Sequence, residues 1–523
     1  MKIMPVSQDI NSKKQTGFSA GKVKLFSDFD RTFLPSKQKD FCDNHNANYY
    51  NMMQNIFTNF KNFLDKTKKS LFFTITTGRT YAEYETIAEI ARDRKFKMPF
   101  PDTLIVKNGS NEHIKISTDE EFYNGGYFPF AYSETNKTKE EEIKKLTGWD
   151  GEHLKKTLIG LFKKYDFHVV EAGSERSKED YGWRSLFDDT NPDKLHYEMN
   201  NTFQGTDKPE WKVGFRNDGN LKIFYTLPFE LTPPTPERVV AIKDIEDTFF
   251  NTLRTQGIKF KDYTLPQNKE CAERPCRTIE PLVDENLQYF SDKKVNQGLT
   301  KFYDTQKAVE EAKKNNDLVV VAGDSSNDET MLNPMFYIAT KYAEKHITDA
   351  TQKKDFLQNI KDTKKAIEYL DKNEELRKMF FELPFVGVIV KPKNETSTLE
   401  NLIYAFGQGK YKKIVVVEEG ELEKGTKEAI KFYCEQNQNY KEKLGSDLEK
   451  EIFGTKKIDD KSSDDSSTPS SDSSSDSSDG SGDNPKEGTT LAQKLGITAL
   501  IAGICGAGYI TLKHNKNENT KLK

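Results

Sequence analysis

The stretch Lys22–Pro35 reads "KVKLFSDFDRTFLP": a short apolar strand running directly into two carboxylates, Asp28 and Asp30, with Thr32 two residues further on. An apolar strand of this kind belongs inside a sheet, where a charge without a partner is costly. Its carboxylates must therefore stand at a strand end where something compensates them. Similar polar endings recur at "TITTGR", ending on Thr76 to Arg79, at "LTK", ending on Lys301, and at "VVVAGDSSND", carrying Gly323 to Asp328. The carboxyl ends of strands in an open parallel sheet are where ligands bind. Four carboxylates (Asp28, Asp30, Asp324, Asp328), a hydroxyl and a lysine are thus expected to meet at one edge.

Outward from this stretch the pattern alternates. "NYYNMMQNIFTNFKNFLDKTKK" has helical periodicity, with Tyr50, Met53, Ile56, Phe57, Phe60 and Phe63 recurring at three and four. "SLFFTITTGR" reads as a strand, "TYAEYETIAEIARDRK" as a helix and "DTLIVKNGS" as a strand. The alternation resumes after a long interval with a helix around Asp304 to Lys314 and the strands "LVVVAGD", "FVGVIVK" and "KKIVVVEEG". Nearly all-apolar strands separated by helices predict a Rossmann-like α/β parallel sheet covered on both faces. The interval, 113–295, holds all three tryptophans (Trp149, Trp183, Trp211) and short alternating segments such as "WKVGFR". It predicts an α+β domain inserted into the first, its tryptophans either core or stacked on a ligand. The resulting division is a polar lead-in (1–21), a first core part (22–112), the insert (113–295) and a second core part (296–445). A lysine-rich insertion over about 335–383 reads as one or two solvated helices.

The chain has 523 residues, 35% apolar and 31% charged, with a net charge of −4. Lysines interleaved with acids leave no basic face for nucleic acid. Cys42, Cys271, Cys276, Cys434 and Cys505 form neither a disulfide framework nor a zinc spacing, and the seven histidines are scattered. Residues 446–490, above all Ser462 to Gly488, read as a disordered Ser/Asp-rich linker that buries too little apolar surface to order. Leu495 to Leu512 carries no charge and as a helix would reach about 27 Å, the low end for a membrane anchor. Ala499, Gly503 and Ala507 at spacing four supply a face for close helix contact, hence for an oligomer. The lysines after the anchor favour a cytoplasmic C-terminal tip, whereas a polar N-terminus without a signal-like apolar run favours a cytoplasmic catalytic domain; the cytoplasmic face is the expectation taken for that domain.

Clustered carboxylates repel one another unless a cation joins them. A few hard oxygen ligands suit Mg²⁺, which with a lysine and a hydroxyl can neutralise a phosphoryl group in transfer. An ionised aspartate there can act as nucleophile, and a second can move the proton. The set resembles the haloacid dehalogenase superfamily of phosphohydrolases, whose motifs appear in order. DxDxT matches Asp28, Asp30 and Thr32, and a strand-end Thr-Gly-Arg matches Thr77, Gly78 and Arg79, with Thr76 an adjacent alternative. GDxxND matches Gly323, Asp324, Asn327 and Asp328. The resemblance implies Asp28 as nucleophile, Asp30 as acid and base, and Thr77 and Lys301 as catalytic partners. It implies Mg²⁺ held by Asp28, Asp30 through its carbonyl, Asp324 and Asp328. Thr32, Gly78, Arg79 and Asn327 would contact the substrate.

The motif lysine usually precedes a glycine, whereas Phe302 follows Lys301; Lys307, in "TQKAV", is the rival. Asp30 fits phosphatases and sugar phosphomutases and excludes the dehalogenases. Within the superfamily "TTGRTYAEY", "PDTLIVKNGSNEH" and "LTGWDGEH" resemble the sucrose-phosphate phosphatase-like branch with its large αβ cap. A small phosphorylated metabolite, a sugar or polyol phosphate, is the implied substrate. A phosphosugar mutase and a catalytically silent membrane-tethered binding module are the alternatives. Arg31 departs from the motif, since relatives more often carry Asn, His or Gly there, and it is expected to face solvent or the cap.

Overall fold

β1 (Val23–Ser27) lies inside an eight-stranded sheet. The structure, a computed structural model, describes residues 21–34, 47–79, 81–93, 95–106, 109, 111–116, 120, 123–124, 130–132, 135–172, 211–216, 220–227, 235–264, 276–283, 301–392 and 396–454. Its strands in chain order are β2 (Leu71–Thr76), β3 (Thr103–Val106), β4 (Asn111–Lys115), β5 (Phe130–Tyr132), β6 (His168–Ala172), β7 (Lys212–Arg216), β8 (Ile223–Thr226), β9 (Phe260–Thr264), β10 (Cys276–Pro281), β11 (Leu318–Gly323), β12 (Phe385–Lys391) and β13 (Ile414–Glu418). The first sheet has the order β13-β12-β11-β1-β2-β3-β4-β5. From β13 to β3 every pairing is parallel, and β4 and β5 add antiparallel strands at one edge.

Alternation along the strands sends side chains to two cores. Val23 and Leu25 join Phe73, Ile75, Val320 and Val388 on one face, covered by helices Ala47–Thr67, Tyr81–Asp93 and Leu422–Gln436. The first of these buries Met53, Ile56, Phe57, Phe60 and Phe63, as its periodicity predicts. Phe26, Val319, Val321 and Ile389 face the other core, which helix Lys301–Asn315 covers with Phe302, Ala308 and Ala312.

The second sheet, β6-β7-β8-β10-β9, is antiparallel except for the β6–β7 pair. Helices Gly151–Lys164 and Pro236–Thr255 pack on it through Leu154, Leu158, Phe162, Ile245, Phe249 and Leu253. Trp149 is buried here and its Nε1 donates to the Asn220 carbonyl at 2.8 Å, while Trp211 packs on Phe167. Both therefore serve packing; Trp183 lies outside the described residues.

Three boundaries differ from the sequence reading. β4 and β5 extend the first sheet, so the segment from 113 to 132 does not open the insert. Asn108-Gly109, between two strand-like runs, is a hairpin signal, and Gly109 takes φ 98°. The lysine-rich insertion forms four helices, Phe336–His346, Ala350–Ile360, Thr363–Lys372 and Glu374–Phe381, rather than one or two solvated ones. Phe356, Leu357, Ile360, Ala366, Leu370, Leu376 and Phe380 are buried among the second core, and the lysines occupy the outer faces. Finally, the span read as linker begins with helix Ser446–Phe453, whose Leu448 is buried in the first core. The rest of the linker from residue 455 and the anchor at 495–512 lie outside the described residues. Among the described residues no helix is long and apolar enough to cross a membrane.

Candidate active site

The opening stretch positions its acids by burying its aromatic residues. After Ser27 the chain turns, with Phe33 and Leu34 donating backbone hydrogen bonds to the Phe29 carbonyl. Phe29 and Phe33 enter the core, where Phe33 packs on Phe57, Phe60 and Phe73 with ring centroids 5.3, 5.4 and 5.9 Å away. Burying such a side chain contributes about 1.5–3 kcal/mol, so the two phenylalanines hold the turn firmly. The backbone N–H of Asp28 donates to the Ala322 carbonyl at 2.9 Å, pinning the end of β1 to β11. That junction brings the two acid motifs together across the sheet.

Lys301, the first residue of its helix, reaches into this junction. Its Nζ lies 2.6 Å from Asp28 Oδ1 and 2.8 Å from Asp328 Oδ1, and all three side chains are buried. Lys307 instead pairs with Glu142 at 2.7 Å on the surface, so Lys301 is the lysine the fold delivers. Phe302, in the place of the usual glycine, packs on Tyr337 in the second core. Asp328 is a keystone: its Oδ2 accepts from the backbone N–H groups of Asp324 (3.1 Å) and Ser325 (3.3 Å) and from the Ser325 hydroxyl (3.4 Å). Thr32 donates its hydroxyl to Asp324 Oδ1 at 3.2 Å, which makes it a support of the acid cluster. Asn327 accepts from the Ser325 hydroxyl and is exposed. Ser325 went unremarked in the sequence because it falls at an unspecified place of the GDxxND pattern.

Oxygens of Asp28, Asp324 and Asp328 lie within 4.8 Å of one another. With all three buried carboxylates ionised, one lysine would leave two negative charges in excess. The consequences are electrostatic. Burial, then the charge of Asp328, holds the Asp28 carboxyl well above the usual carboxylate range. Burial and Asp328 push Asp324 up to about 7. Burial pulls against the Lys301 ammonium, but Asp28 and Asp328 outweigh it and raise its affinity for the proton. An all-oxygen donor set with two charges to spare fits a hard divalent cation such as Mg²⁺.

The Thr-Gly-Arg segment directly follows the last residues of β2. Thr77 is buried at the end of β2, its Oγ1 accepting from the Arg79 backbone N–H at 3.2 Å. Thr76 is also buried, and its hydroxyl has no hydrogen-bond partner among the described residues. Gly78 is exposed, and Arg79 turns to Asp30: Nε lies 3.0 and 2.9 Å from the two carboxylate oxygens and Nη2 2.7 Å from Oδ1. The Asp30 carboxylate stands half exposed at the mouth. Arg31 has φ 59°, a left-handed conformation that disfavours most side chains and suits Gly, Asn and His. It is exposed, and its charge lowers the Asp324 pKa against the larger effects of burial and Asp328.

Gly323 is required by close approach. A Cβ added there would stand 2.6 Å from Asp328 Cβ and 2.7 Å from its Cγ, and three donors keep Asp328 from moving away. Gly323→Ala is expected to lose about 1–3 kcal/mol of stability by overpacking. Urea unfolding measures this, and a parental midpoint would show that the loop yields freely.

No protein-family model matches the chain, and no curated protein matches it. Among solved structures, the C-terminal domain of a trehalose-6-phosphate phosphatase from C. albicans aligns with 80% of this chain and 92% of its own, at 10% identity and a TM-score of 0.29. A likeness that slight adds no weight to any reading of fold or function. What the fold and site define on their own is an α/β protein with a lysine-bridged carboxylate cluster at the carboxyl edge of a parallel sheet.

Proposed function

We propose that the chain is a Mg²⁺-dependent phosphomonoester hydrolase acting on a small phosphorylated metabolite, a sugar or polyol phosphate. The observation that carries this reading is the Lys301 ammonium bridging Asp28 and Asp328, with Asp324 alongside, at the carboxyl edge of the sheet. Asp28, Asp324 and Asp328 would hold the cation, which when bound would neutralise phosphoryl oxygens. In the first step an Asp28 oxygen bonds to phosphorus while the ester P–O bond breaks, and Asp30 gives its proton to the departing oxygen. In the second step a water oxygen bonds to phosphorus, the Asp28 O–P bond breaks, and the water proton passes to Asp30. Lys301 keeps Asp28 oriented and offsets its charge throughout.

Chelation tests the metal dependence, and stability gives a second readout. Without metal, Asp324 holds its proton more tightly folded than unfolded, so the folded state binds more protons between about pH 4 and pH 7. Stability of the metal-free chain is therefore expected to fall as pH rises through that window and to level off above about 7. Mg²⁺ should restore both turnover and thermal stability, more at pH 8 than at pH 5, because protons compete for its ligands. Undiminished phosphate release in excess chelator would exclude the metal role. Product analysis separates hydrolysis from transfer: free phosphate supports the hydrolase, an isomeric sugar phosphate a mutase.

A further inference from the structure

We infer that Arg79 is a positioning residue for Asp30 and not a ligand of the substrate phosphoryl group. The inference rests on the phosphatase reading above. The guanidinium meets both Asp30 oxygens through Nε and Nη2 at 2.7–3.0 Å, a planar fork on a planar carboxylate. Such a pairing fixes the rotation of the carboxylate as well as its place, which a single charge contact does not. Arg79 is itself held from behind, since the Thr77 hydroxyl accepts from its backbone N–H and its side chain is largely buried while that of Asp30 is half exposed. The fixed partner is thus the arginine, and the aspartate at the mouth is the group being aimed. With its fork occupied by Asp30, Arg79 acts on the reaction through the proton that Asp30 gives to the departing oxygen and takes back from water. It makes and breaks no bond itself.

Leaving-group dependence separates this role from phosphate binding. The full chain and its Arg79→Ala, Arg79→Lys, Asp30→Asn and Arg79→Ala/Asp30→Asn variants are assayed with Mg²⁺ on two substrates. p-Nitrophenyl phosphate departs without a proton, whereas β-glycerophosphate needs one. The quantity compared is kcat/KM, which reports steps through the first irreversible one. Asp30→Asn is expected to lose about 100-fold or more on β-glycerophosphate. Arg79→Ala is expected to lose about 10- to 100-fold there, and at least tenfold less on p-nitrophenyl phosphate. Arg79→Lys should recover part of the loss, and adding Arg79→Ala to Asp30→Asn should cost little more. Equal losses on both substrates with a raised KM, or full additivity in the double variant, would overturn the inference. Should Arg79→Ala not fold, the same comparison on Arg79→Lys decides it. A parental chain silent on both substrates overturns the phosphatase reading and this inference with it, whereas an active parent without the substrate contrast overturns the inference alone.

Discussion

Replacing Asp28 by asparagine is expected to lower phosphate release on the order of 10⁴-fold or more while leaving the fold at least as stable as before. Asparagine keeps the shape and an oxygen to accept from Lys301, now at 2.6 Å from the aspartate, but it cannot supply an anionic nucleophile. The effect on stability has the opposite sign from the usual loss of an ion pair. Asp28 is one of three buried acids sharing one lysine, and burial together with Asp328 already disfavours its charged form. Removing that charge relieves repulsion in the metal-free chain, so its thermal midpoint should hold or rise. Phosphate release and thermal unfolding in chelator measure the two halves. Near-parental turnover would remove Asp28 from the nucleophile's role, and a collapse in stability would show that the acid cluster is balanced differently.

Lys301→Met should do the reverse. The side chain is of similar length and suits a buried site, but the ammonium between Asp28 and Asp328 is gone. Breaking a buried pair from one side leaves uncompensated charge and costs about 3–5 kcal/mol. Because the acids can take up protons, the deficit should be largest near pH 8 and shrink toward pH 5, with the variant's own stability rising as pH falls. Turnover should be lost at every pH, since Asp28 is no longer oriented. Urea unfolding at the two pH values, beside phosphate release, checks this. A variant equally destabilised at both pH values would mean that packing, and not charge, is what Lys301 supplies.

Much of this site was legible because strand ends in a parallel sheet converge. Asp28 with Thr32, Lys301, and Asp324 with Asp328 come from three separate stretches of the chain that meet at one edge, although Lys301 opens a helix there and does not end a strand as its sequence suggests. The pairing of Arg79 with Asp30 was not legible, because it depends on how two side chains turn at the mouth and no spacing encodes that. Lys301 and Lys307 were separable only by geometry: they share one helix, and only the first stands at its inner end. In the lysine-rich insertion, charge density concealed the apolar stripe that buries Phe356, Leu370 and Phe380. The Arg31 departure became intelligible from its backbone. At φ 59° the backbone is left-handed, a conformation that suits Gly and Asn, and here an arginine accepts that strain at a cost of about 1–2 kcal/mol.

At the other end of β1 the described chain closes on itself. The Gly21 backbone N–H donates to the Lys443 carbonyl, Gly21 bridges Leu444, and Asp447 accepts from the Ser70 hydroxyl at the start of β2. The two ends of the body from Gly21 to Gly454 are thus stitched to each other at the amino edge. They are separated from the acids by the length of β1, about 16 Å. In mechanical terms this seam is a clasp. A pull applied through the two ends loads the clasp first, and the edge that carries Asp28 and Asp324 lies off the line of force.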